Sequence, residues 1–225
     1  MSNRTRFALV VTISSLGPAC FVGPARAQEV DVMVQMSSGQ LVTGVADLPT
    51  STFTVPHRVF TRNLLSNFRA ADPGFFALSE GNPLLPADAL PANTDLSWDF
   101  LPMTIGQTVS NLFYWDALDD DQNGLGQQDV EFVRPQNANF KAINNGSFTA
   151  DASDQMIPGG LIQTTAFDGS IHKHPAFRVE TLDATAPLTG VYMVSLQLRM
   201  PGIDTSDPFY LAFRTSTLDD EVLAV

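Results

Sequence analysis

Apolar and polar residues alternate with a period of two along most of this chain, and clusters of Gly, Pro, Asn, Asp and Ser interrupt them. That is the pattern of short strands joined by turns. Residues 30–36 (Val-Asp-Val-Met-Val-Gln-Met) alternate as a strand, 37–40 form a turn, and 41–46 return as its hairpin partner. Residues 53–60 alternate again and set Phe53, Val55, His57 and Val59 on one face, so His57 is expected to point inward. Pro56 marks an edge or the start of a strand. Residues 63–70 fit either a short helix or a strand, Asp72-Pro73-Gly74 reads as a turn, and Pro83, Pro86 and Pro91 make their stretch a loop. Further strands are expected at 96–101, 109–115, 130–133, 161–167, 171–179, 191–200 and 209–214. The polar stretch 135–155 is anchored by Phe140 and Phe148. About ten strands at this spacing imply an all-β chain, a β-sandwich or jelly roll formed as one domain over residues 28–225.

The first 27 residues have a different character. Arg4 and Arg6 precede the uncharged, largely apolar stretch 7–22, and Ala25-Arg26-Ala27 supplies a small-x-small cleavage site before Gln28. This is the layout of a secretory signal peptide. Its apolar run is shorter than the ~20 residues of a membrane span, and no later stretch reaches that length. A secreted or periplasmic chain without a membrane span is therefore expected. Cys20, the single cysteine, lies in the part removed, which leaves no disulfide in the remainder. A lipoprotein cleavage before Cys20 is the alternative, although Leu16 stands one place too far from it and Pro18 fits poorly.

Removal of residues 1–27 takes away three arginines and no acid, so the net charge moves from −12 to −15, with 9 basic residues against 24 acidic. Such a surface repels nucleic acid and attracts cations.

Candidate chemistry centres on the three histidines. In Asp168-Gly169-Ser170-Ile171-His172-Lys173-His174 a turn runs into a strand, and regular alternation puts both imidazoles on one face about 7 Å apart. Two imidazoles so placed suit Zn²⁺ or Cu²⁺, and a stable site needs a third protein ligand. His57 is one candidate, and Asp168 and Glu180 are the nearby carboxylates. A cupin-type site requires a glutamate three or four residues beyond the second histidine, whereas five residues separate His174 from Glu180.

A second candidate is the acidic loop 119–129. Asp119, Asp121 and Asn123 followed by Gly124 match the first half of an EF-hand-type calcium loop. The closing acid is missing, and Asp129 arrives one residue early. The same residues suit an acidic hairpin turn at Asn123-Gly124. Trp98, Phe113, Tyr114, Trp115 and Tyr192 could form a sugar-stacking platform, but on alternating strands they are more simply core. Ser170 stands near His172 and Asp168 in sequence, which does not make a triad. The chain has no G-x-S-x-G, H-E-x-x-H or phosphate-binding glycine motif.

The 168–174 segment, the strand from Gly190 to Leu196 and the ending Ser206-Asp207-Pro208-Phe209-Tyr210 together resemble a little-characterised family of secreted bacterial β proteins. Many members carry a PEP-CTERM sorting tail, and some are linked to zinc-responsive regulation. The resemblance covers about the C-terminal third, with weaker echoes at Val59-Phe60 and Asp72-Pro73-Gly74-Phe75. It implies export and singles out His172 and His174. Residues 216–225 depart from the family's pattern, carrying neither the Pro-Glu-Pro motif nor its apolar helix. Two readings follow. The first is an exported, non-catalytic protein that binds zinc or copper through His172, His174 and His57. The second is an adhesion, matrix or carbohydrate-binding module with a structural calcium loop.

Overall fold

The computed structural model describes residues 30–116 and 131–215. The export signal at 1–27 and the acidic loop with Asp119, Asp121, Asn123 and Asp129 lie outside the described residues. Among the described residues every regular element is a strand, and no helix is long and apolar enough to cross a membrane.

The first hairpin is as the alternation requires: β1 (Val30–Ser37) and β2 (Gln40–Asp47) pair antiparallel, closed by Ser38 and Gly39, both at positive φ. The expected strand over 53–60 is instead two, β3 (Thr52–Thr54) and β4 (Val59–Asn63), with Pro56 in the gap. The proline lacks a ladder N–H, and the chain changes sheets here. Residues 63–70 form no helix and contribute only β5 (Arg69–Ala70), followed by β6 (Phe75–Ala77). β7 (Asp95–Leu101) is as expected. The 109–115 run divides into β9 (Thr108–Ser110), which pairs with β8 (Met103–Ile105), and β10 (Leu112–Trp115). The division falls at Asn111, a fully buried amide that donates to Asp151, Ser153 and the Gln155 carbonyl. Near 130–133 the described residues show only a bridge between Val133 and Tyr114.

Phe140 and Phe148 sit on a hairpin that the polar composition concealed, β11 (Ala138–Ile143) with β12 (Ser147–Ala150). β13 (Ile157–Thr164) follows. The strand expected over 171–179 is interrupted at His174-Pro175, giving β14 (Ile171–Lys173) and β15 (Ala176–Thr181). β16 (Val191–Arg199) and β17 (Phe209–Arg214) complete the chain as expected.

The strands form a β-sandwich. One layer is the sheet β13-β7-β16-β17-β4, with β10 also paired to β16. The opposite layer is in two pieces, β14-β6-β1-β2-β3 and β12-β11-β15-β5. Both pieces pack on the first layer through aromatic rings: Phe75 meets Trp98 and Phe209, while Phe140 meets Phe100 and Phe213. One continuous core contains residues of these three sheets, and β8-β9 stand outside it as a two-stranded sheet. Such ring pairs add ~0.5–1.5 kcal/mol each beyond the area they bury. Trp98, Phe113, Tyr114, Trp115 and Tyr192 all belong to the buried interior, the core role that their alternation favours.

The two pieces of the second layer are joined by two chain passages lying side by side. β5 leads into β6 while β14 leads into β15, and the passages pair antiparallel on both sides of the junction. Lys173 faces Phe75 and Phe177 faces Ala70, so the four residues 71–74 lie opposite the three residues 174–176. An extra residue on one strand of a pair bends it and re-aims its side chains. The histidines sit at this bend.

Candidate metal centre

β1 carries the floor of the site. Val32 and Val34 point into the main core, while Asp31, Met33 and Gln35 alternate onto the opposite face. Met33 packs there in a small outer cluster with Ala46 and Leu78. Asp31 has no apolar role on that face. Its side chain is 2% exposed, and its Oδ1 accepts a hydrogen bond from the Gly74 backbone N–H at 2.8 Å. Its other oxygen, Oδ2, is buried and accepts no hydrogen bond. A buried carboxylate oxygen without a partner is costly unless a cation meets it.

Two imidazoles face that oxygen. His172 pairs in register with Phe76 and lies edge-on to its ring at 5.5 Å between centroids. His172 Nε2 lies 3.3 Å from Asp31 Oδ2, His174 Nε2 lies 3.8 Å from it, and the two Nε2 atoms are 3.0 Å apart. With metal–ligand bonds of ~2.0–2.1 Å, tetrahedral ligands stand about 3.3 Å from one another. The triangle formed by Asp31, His172 and His174 is of the size that one ion spans.

His174 is also held from behind. Its Nδ1 lies 2.9 Å from Asp72 Oδ1 and 3.2 Å from the Ala71 carbonyl, both acceptors. Nδ1 therefore carries the proton and the Nε2 lone pair faces the other two donors. An outer carboxylate of this kind fixes the tautomer and orientation of a metal-binding imidazole. Gly74 lies beneath: a Cβ built there would fall 2.7 Å from His174 Cε1 and 2.9 Å from Asp31 Oδ1, so no side chain fits.

The sequence singles out the His-x-His pair, and the structure brings its two rings together. Its third-ligand candidates lie elsewhere. His57 is exposed rather than inward, because the strand meant to orient it stops at Thr54. Its Nε2 approaches its own chain at the Val59 carbonyl, 2.6 Å away, and its N–H donates to Thr43 on β2. Asp168 accepts from the Ser170 hydroxyl and N–H within their turn, and these hydrogen bonds lower its pKa. That engagement turns the Ser170 hydroxyl toward Asp168 and leaves no serine triad. Glu180 pairs with Lys141 and Arg178. The carboxylates actually present, Asp31 and Asp72, come from 141 and 100 residues upstream of His172. Asp31 had one visible signal, a charged residue in a strand whose other polar residues, Gln35 and Ser37, are neutral. Asp72 had none beyond its turn.

No protein-family model matches this chain, and neither a curated protein nor a solved structure does so significantly.

Proposed function

We propose that this is an exported protein that binds one divalent transition metal, zinc or copper, through Asp31, His172 and His174, and that it carries out no catalysis. The observation that carries the reading is Asp31 Oδ2: a buried carboxylate oxygen that accepts no hydrogen bond and faces two imidazole nitrogens. Two nitrogens and one oxygen suit zinc or copper better than calcium or magnesium, which prefer all-oxygen sites. The outer carboxylate on His174 is the support expected of a built site. Export is supported by the arginines, apolar run and Ala-Arg-Ala site of the N-terminus. The resemblance to secreted proteins linked with zinc-responsive regulation favours zinc between the two metals. A cavity of about 490 Å³ lined by Tyr114, Pro135, Leu188 and Tyr192 is separate from the triad.

The test is elemental analysis of untagged protein followed by Zn²⁺ titration of wild type and of His172→Ala/His174→Ala. The expected result is close to one equivalent in wild type and none in the double variant. Wild type that stays metal-free at micromolar zinc contradicts the proposal.

A further inference from the structure

The metal triangle is open on one side only. Asp31 lies at its floor, 2% exposed, whereas the side chains of His172 and His174 are 49% and 37% exposed. Among the described residues, no fourth histidine, cysteine, aspartate or glutamate offers a donor within the same group. Asp72 is turned away, holding Nδ1 of His174 rather than facing the Nε2 side. Both imidazoles sit at the rim of the sandwich, His172 on the edge strand β14 and His174 just beyond it. A three-ligand site whose remaining position faces solvent can accept a donor from outside, unlike the closed four-ligand sites that hold zinc structurally.

We infer that the bound metal is carried rather than stored, and that it passes to an acceptor by associative ligand exchange at this open position; the inference rests on the proposed function. A lone pair from the incoming donor forms a bond to the ion and displaces a solvent water. The bond to His172 Nε2 breaks first, its side chain being the most exposed of the three; the bonds to His174 Nε2 and Asp31 Oδ2 break as further donors of the acceptor replace them, and the ion leaves with the acceptor. No oxidation state changes. The freed His172 Nε2 remains 3.3 Å from Asp31 Oδ2, so the emptied site retains a polar contact for the buried oxygen.

The chemistry of the acceptor follows from charge. The chain without residues 1–27 carries −15, and Asp31 and Asp72 flank the site. Anionic donors approach against this field, whereas neutral imidazole does not. The acceptor class is therefore a histidine-bearing segment that is neutral or basic overall.

The test uses wild-type protein loaded with Zn²⁺ and a hexahistidine peptide as acceptor, with transfer followed by stopped flow over a range of peptide concentrations. Zinc binding with a transfer rate that rises in proportion to peptide concentration is expected. Loading with Co²⁺ in place of zinc should give a visible spectrum that changes on adding imidazole and changes less on adding acetate. Stoichiometric zinc whose release rate is independent of peptide, with a Co²⁺ spectrum indifferent to imidazole, overturns the exchange inference and leaves the binding reading intact. Failure to load zinc at all overturns both.

Discussion

Single residues decide whether the site works. Asp31→Asn keeps an oxygen for the Gly74 N–H while removing the charged oxygen from the floor. We expect zinc affinity to fall by more than the ~10–100-fold typical of losing an outer carboxylate. Apo stability should change little, because the Gly74 hydrogen bond is kept and the buried oxygen that accepts no hydrogen bond loses its charge. Calorimetric titration and thermal melts on the same samples check both halves, and an Asn variant that binds like wild type would remove Asp31 from the ligand set. Asp72→Asn should lower affinity by about 10–100-fold, since the amide supports His174 less strongly. Gly74→Ala should weaken binding as well, because its Cβ displaces the His174 ring. These residues also show how much of the site was legible. His172 and His174 announce themselves by alternation alone. Asp31 and Asp72 join them only through pairing between strands far apart in sequence, which no local pattern encodes.

At the scale of elements, the ion would tie β14 to β1 across the intervening β6. β14 is a three-residue edge strand, and β6 meets β1 at only two positions. Short edges of this kind open locally at low cost. Saturating zinc should therefore slow amide exchange in β14 and β6 more than in β16, the centre of the opposite sheet. Equal protection everywhere would argue against a bridge at this place. In the other half of the layer, the Lys141 hydrogen bond, with help from the Lys141, Arg178 and Arg69 charges, holds Glu180 below the usual carboxylate range. A lowered folded pKa contributes stability above the unfolded value of ~4.3, and that stability is lost as pH falls through the folded value. Glu180→Gln should cost under ~1 kcal/mol at pH 7 and progressively less as the pH is lowered through the acid range, measured by urea unfolding. The sequence shows these strands well where alternation is clean, as in β1, β2, β16 and β17. The prolines at 56 and 175 signal their interruptions, whereas the one at Asn111 has no local signal, because its buried amide is held by Asp151, Ser153 and Gln155. The break at His174-Pro175 falls at the site: His174 lies just past the end of β14, and its Nε2 comes within 3.0 Å of that of His172.

At the scale of the whole molecule, a β-sandwich with a continuous aromatic core can remain folded without metal, so zinc adds to stability rather than creating it. Ligand linkage gives about 2.7 kcal/mol at a free zinc concentration of 100 times Kd. Melting temperature should thus rise with zinc in wild type and stay fixed in His172→Ala/His174→Ala. Export makes a separate claim: protein recovered from outside the cytoplasm should begin at Gln28, and a retained Met1 would contradict the reading of the N-terminus. The fold class follows from strand count and turn spacing, whereas the split of one layer into two sheets depends on a bend that composition does not reveal. The most direct test of the whole account is an anomalous difference map at the zinc edge from crystals of zinc-loaded protein. It should show one peak within ~2.0–2.2 Å of Asp31 Oδ2, His172 Nε2 and His174 Nε2. A peak at His57, or density that leaves Asp31 out of the coordination shell, would contradict it.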